Sequence, residues 1–376
     1  MSRGLSLYLD FLRLIAAVEV FVFHLAGFGF TGLHRAPWNA YGHEAVTIFF
    51  VLSGFVIRHA VQVGDPTIAA FATSRLTRVY SVAVPCLLLT FGFDLIGHRI
   101  APQFYEGLTP SGPAWLRLAI SGAMLNEAWV SVQMLSNTPY WSISYEFWYY
   151  VLFAALFYLK GRPRFLASLA AAIIAGPRIL LLFPIWLMGW LAYVERKSDK
   201  MPVWLSIALF VQPVVMMMVY ERLHLSEFGQ HVLEALIGHD GWRNGLAWSR
   251  YVISDSILGA SIALHLVGAK KLGPALWAVL ARGQRPIRFL ASRSFTLYLL
   301  HQPALLVVAA CLSAVPLGPW RPAAIAAVTL GVILLVAMIT EGQRRRIKPA
   351  MATLVARVAA LGPRRPEPEP KLLPGR

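Results

Sequence analysis

Apolar runs of about twenty residues recur along the whole chain, and a run of that length is what a helix needs to cross the hydrocarbon core of a bilayer. Inside a bilayer, only helices and closed barrels satisfy every backbone group. The strands of a barrel alternate apolar and polar residues, and no such alternation is present here. The expected fold class is therefore all-α: a polytopic integral membrane protein. Composition agrees, with 57% hydrophobic and only 14% charged residues in 376, and a mean hydropathy of +0.60. A soluble domain carries nearly twice that charged fraction.

On the twenty-residue ruler the chain divides into ten expected spans, at roughly 5–30, 43–62, 81–97, 139–159, 165–177, 179–195, 203–221, 251–268, 289–312 and 321–341. The fifth is short, and "AGPR" reads as the turn between it and the sixth. The net charge of +16 bears on orientation. With the N-terminus inside, the inner segments hold 25 of the 34 Lys and Arg, the opposite segments hold eight, and Arg13 lies within the first span. Lys and Arg favour the cytoplasmic side, so both termini are expected there, and the basic charge points to membrane topology and away from nucleic acid. The expected domains are a membrane domain over 1–341 and a basic, Pro-rich, disordered tail over 342–376. The opening segment is expected to be a retained span with no cleaved signal. The longest outer loops, about 98–138 and 222–250, are rich in Trp, Pro and Gly. The two cysteines, Cys86 and Cys311, have no metal-ligand spacing, and no metal is expected.

The first span, "LDFLRLIAAVEVFVFHL", carries Asp10, Arg13, Glu19 and His24. Ionisable groups within spans are costly and normally face the bundle interior or a water-filled cavity. At 100° per residue Asp10, Arg13 and His24 share a face, with His24 roughly 16 Å deeper than Arg13. Asp10 is expected to neutralise Arg13, while Glu19 points elsewhere. Other spans offer partners: Ser53 and Gly54 in "FFVLSGF", Arg75 and Arg78 at i, i+3 in the loop "SRLTRVY", Ser142 and Glu146 in "WSISYEFWYY", and Tyr298 and His301 in "SFTLYLLHQP". Ordinary explanations exist for each taken alone: small-residue helix packing, positive-inside anchoring and a hydrogen-bonded core histidine. Asp94 and Asp255 read as interfacial acids near span ends. Trp115, Trp129, Trp141 and Trp242 suit a membrane-interface belt or sugar stacking.

Taken together and in order, these stretches resemble the membrane acyltransferase-3 family, which includes polysaccharide O-acetyltransferases. The matching features are an Arg and a His separated by ten residues in the first span, "FFVLSGF", "RLTR", "WSISYE" and "SFTLYLLHQP". Departures are Phe11 for a small Gly, Glu19 for an apolar residue, Ile143 for Leu and Phe295 for Tyr. The stand-alone form, without a fused extracytoplasmic domain, is the expected type. The resemblance implies acyl transfer, most often of acetyl, from cytoplasmic acetyl-CoA or another acyl-CoA to a hydroxyl of a cell-envelope or exported glycan. The expected setting is the bacterial inner membrane, among membrane lipids. The implied catalytic set is His24, Arg13, Asp10 and Glu146. Arg75, Arg78 and Ser53 would hold the donor, and Ser142, Tyr298 and His301 would line the substrate channel. His24 suits a general base, and two guanidiniums suit a polyanionic CoA. The alternatives are a succinyl or other short-acyl transferase, a carrier or flippase using a His/Glu/Asp proton relay, and a membrane subunit without catalysis.

Overall fold

The computed structural model describes residues 1–31, 33, 41–194, 200–316 and 318–360, with the side chain of Phe30 left aside. The described residues form helices α1 (Arg3–Gly27), α2 (Gly42–Val63), α3 (Ile68–Ile100), α4 (Ala114–Gly122), α5 (Trp141–Tyr158), α6 (Gly161–Val194) and α7 (Val203–Arg222). They continue as α8 (Leu225–Asp240), α9 (Val252–Lys271), α10 (Gly273–Leu280), α11 (Gln284–Ala291), α12 (Ser294–Cys311), α13 (Arg321–Thr340) and α14 (Arg344–Ala360), and they include no strand.

Among the described residues, seven stretches are long and apolar enough to cross a membrane: α2, α3, α6, α7, α9, α12 and α13, two of them with a short helical turn at the N-terminal end. The ten expected spans also include α1 and α5, and they divide α6 in two. α1 is long enough to cross but carries Arg3, Asp10, Arg13, Glu19 and His24, and α5 is 18 residues of mixed aromatic and polar character. α6 breaks at Gly176, whose φ of 79° lies in the left-handed region. Glycine occupies that region without steric cost. A side chain there would also collide with the Ala128 carbonyl. The turn expected at "AGPR" is therefore present, and Trp129 Nε1 donates to the Ile173 carbonyl at 2.8 Å just before it.

Burial ranks the helices. Within α12, 89% of the apolar window is buried, against 11% in α7. α12 is thus the axis of the bundle, packed against α1, α3 and α13, and α7 lies at the rim. A polar side chain on α12 must find a partner inside the protein. α2 and α6 cross closely, where Gly54 lies against the Trp186 backbone and Gly189 against the Val51 backbone.

Three expectations change. The loop expected to carry Arg75 and Arg78 is the first part of α3, a 33-residue helix whose N-cap Thr67 Oγ accepts from the Ala70 N–H at 3.2 Å. The outer segment 222–250 is largely helical, as α8 and the turns that follow it. The tail expected to be disordered forms α14 over Arg344–Ala360 and packs on α3. Its Ala, Arg and Leu content favours helix, and Arg344 pairs with Glu341 at 3.0 Å. Residues 361–376 lie outside the described residues.

Candidate functional site

α5 supplies the acid. Glu146 and Tyr150 are one turn apart, and the Tyr150 hydroxyl donates to Glu146 Oε1. Ser53 of α2 donates to the same oxygen at 2.9 Å, and Trp186 Nε1 of α6 donates to Ser53 Oγ at 3.2 Å. Three helices therefore fix one carboxylate. Ser53 thus faces Glu146 while its neighbour Gly54 lies at the α2–α6 crossing.

Glu146 and Ser53 line a narrow cavity together with Arg13, Arg75, Arg78 and Tyr298. Its free volume is about 50 Å³. Arg75 pairs with Asp65 at 3.1 Å and lies over the Phe71 and Tyr150 rings. The Arg78 guanidinium stands 5.9 Å from the Phe295 ring centre. Phe295 thus keeps a ring under Arg78 without the hydroxyl of the tyrosine expected there. Ser142 Oγ and the Tyr298 hydroxyl are 2.6 Å apart in the same cavity.

One helical turn beyond Tyr298 lies His301. Its Nδ1 bonds the Tyr298 carbonyl at 2.8 Å, and its Nε2 is 3.1 Å from His24 Nδ1. His24 Nδ1 is also 2.9 Å from the Val20 carbonyl. Carbonyl oxygens only accept, so in the neutral rings both Nδ1 atoms carry the proton. His301 Nε2 is then an acceptor for His24, and His24 Nε2 keeps its lone pair.

The structure thus gathers nine of the ten expected residues around one cavity and one histidine pair. Asp10 stands apart. Among the described residues it forms no ion pair with Arg13 and instead meets Arg288 of α11 at 3.5 Å, with a quarter of its side chain exposed. Arg13 turns into the cavity that holds Glu146. Glu19 faces a different space, a lateral cavity of about 860 Å³ between α1, α2, α7 and α9, where it joins Glu44 and Glu221.

Two acids expected at the interface are buried. Asp94 accepts from the backbone and hydroxyl of Ser136. Asp255 accepts from His43 Nε2 and Thr47 Oγ1, each at 2.9 Å. The latter pair joins residues 212 positions apart, and no local spacing marks it. Trp115 and Trp129 are exposed, as a belt requires, whereas Trp141 and Trp242 are buried.

Sequence reasoning also missed Glu127, in the loop before α5. It is 1% exposed. Burial pushes its carboxyl up to about 8, opposed by the Ser131 hydroxyl and by Arg178. The folded state therefore holds this proton at pH values where the unfolded chain, near 4.3, has lost it. Stability from this group is complete below about pH 4 and is lost as the pH rises toward 8. In detergent, the parent is expected to lose melting temperature between about pH 5 and pH 8 relative to Glu127→Gln, by on the order of a few kcal/mol in all. Parallel melting curves across that range would show that Glu127 ionises freely.

The acyltransferase domain family model matches residues 6–341. The protein "Acyltransferase MdmB" of Streptomyces mycarofaciens is 32% identical over 187 residues, covering 46% of this chain and 46% of that protein. The chain thus spans under half the length of that relative. No solved structure matches.

Proposed function

Because the chain belongs to the acyltransferase-3 family, we propose that it is an acyltransferase that transfers acetyl from acetyl-CoA to a hydroxyl of an envelope or exported glycan, in a bacterial cytoplasmic membrane. The observation that carries this reading is the continuity of the site: Arg75 and Arg78 at the basic face, a cavity to Tyr298, and the His24–His301 pair one turn further on. CoA is polyanionic and cytoplasmic, and its pantetheine arm is long and thin. Arg75 and Arg78 suit its phosphates. The cavity is narrow, so admission of the arm requires side chains such as Phe49 and Phe295 to swing aside.

His24 Nε2 takes the proton of the acceptor hydroxyl as its oxygen attacks the thioester carbonyl carbon. Arg13, in the donor cavity about three helical turns from His24, orients the acyl donor. The C–S bond then breaks, and the His24 imidazolium returns the proton to the leaving thiolate, giving the ester and free CoA. His301 accepts from His24 Nδ1–H and holds the ring in the tautomer that keeps Nε2 basic, the part an aspartate plays in a hydrolase triad. Asp10, paired to Arg288, acts on α1 placement and not on the reacting atoms. Succinyl or another short acyl group would travel the same route.

Labelled acetyl-CoA with purified protein tests the reading. Acceptor-dependent thiol release is expected, whereas a carrier or a catalytically silent subunit releases none. Arg75→Ala/Arg78→Ala is expected to raise KM for acetyl-CoA by about tenfold to a hundredfold, as the loss of two charge-assisted contacts implies, with KM for the acceptor unchanged. Equal KM for the donor would make these arginines topological anchors only.

A further inference from the structure

Arginines are scarce on the face opposite the basic one, and three of the eight there come together. Arg178, Arg243 and Arg250 line a cavity of about 400 Å³ with Glu127, Trp141 and Trp248. That volume lies within the range of small-molecule sites. Among the described residues none of the three is ion-paired.

Each arginine is placed by a different device. Arg178, just after the Gly176 turn, donates from Nε to the Gly245 carbonyl at 2.7 Å and from Nη2 to the Asn244 carbonyl at 2.6 Å. Its Nη1 is buried without a partner. Arg250 packs over Tyr251, Trp242 and Trp248, and its Nε is likewise buried without a partner. Arg243 is exposed at the rim. Trp248 stacks face to face on the buried Trp141 at 5.1 Å and is the half-buried ring of an aromatic wall. Glu127 donates or accepts according to its protonation, and its Oε2 is buried without a partner.

Burying guanidinium N–H groups without acceptors is costly, and a bound anion removes that cost. Planar, forked N–H donors match a carboxylate or phosphate. The Glu127 carboxyl and the aromatic wall suit a hydroxyl-rich ring, not a bare ion. The cavity also adjoins the chemistry. Thr138 lies in its lining and accepts from Gln302 Nε2 at 3.2 Å, and Gln302 follows His301. A ligand there meets α12 through Thr138 and Gln302, one residue from His301.

We infer that this cavity binds an acidic saccharide, its anionic group on Arg178, Arg243 and Arg250 and its ring between Glu127 and Trp248. Resting on the acyl-transfer reading above, the saccharide is the acceptor, so the enzyme acylates anionic glycans in preference to neutral ones.

Binding and turnover are measured separately. Trigalacturonate and its neutral methyl ester are titrated into the detergent-purified protein, followed by intrinsic tryptophan fluorescence. The acid is expected to bind at least about tenfold more tightly than the ester, as a charge-assisted contact implies. Arg243→Gln, a rim substitution that leaves the packed arginines in place, is expected to remove most of that preference. Equal affinity for acid and ester, or an unchanged preference in Arg243→Gln, would overturn the inference. Thiol release from acetyl-CoA in the presence of each sugar judges the donor reading independently. Release with both sugars at equal efficiency keeps the acyltransferase reading and removes the acidic acceptor.

Discussion

Replacing His24 with alanine is expected to abolish acyl transfer, by about a thousandfold or more, while the protein still folds and inserts. The size follows from what the ring does. A positioned general base contributes roughly a hundredfold to ten-thousandfold, and here one ring both removes the hydroxyl proton and returns a proton to the thiolate. The structural cost is small. His24 bonds its own helix at the Val20 carbonyl and touches His301, Phe23 and Phe28, so truncation removes one hydrogen-bonded pair and three ring contacts. His301→Ala is expected to cost less, because His24 keeps its Val20 carbonyl. Monodispersity, melting temperature and labelled thiol release check all of this on one preparation. Near-parental acylation by His24→Ala would remove the base from His24 and leave the histidine pair a packing feature.

How far the sequence reached follows from where each residue lies. Polar residues inside apolar runs stand out, because each costs energy unless something answers it. Arg13, His24, Ser53, Glu146, Tyr298 and His301 were visible for that reason, and the structure answers each with a partner or a shared cavity. Helix phase placed Arg13 and His24 on one face. It could not place Asp10, because the competing arginine, Arg288, sits 278 residues away on a short helix beside α1. The same limit hid the His43–Asp255 pair. Glu127, Arg243 and Arg250 lie in connecting segments and Arg178 at the Gly176 break of α6, with no period to mark them. Their burial depends on how the loop before α5 folds against the Gly176 turn, which is a tertiary fact. The length of α3 escaped because hydropathy marks the apolar part of a helix and not its polar first turns.

Gly189→Leu is expected to disrupt the bundle, with loss of the monodisperse folded protein or a fall in melting temperature matching about 3 kcal/mol or more, the upper range for overpacking a close contact. A Cβ at Gly189 would overlap the Val51 carbonyl, and one at Gly54 would overlap the Trp186 carbonyl. Both obstacles are backbone, so no side chain can swing aside. The only relief is to move α6 away from α2. That motion pulls Trp186 Nε1 off Ser53 Oγ, 3.2 Å away at rest, and loosens the clasp by which Ser53 and Tyr150 hold Glu146. Stability and site geometry therefore share one crossing, and the smaller Gly189→Ala should show it by losing activity before it loses the fold. Gly92→Leu on α3 is the control, since a Cβ there has no neighbour within 4 Å, and it should match the parent in both measurements. Parental melting and thiol release in Gly189→Leu would mean that the two helices do not meet this closely and that Glu146 is positioned by α5 alone.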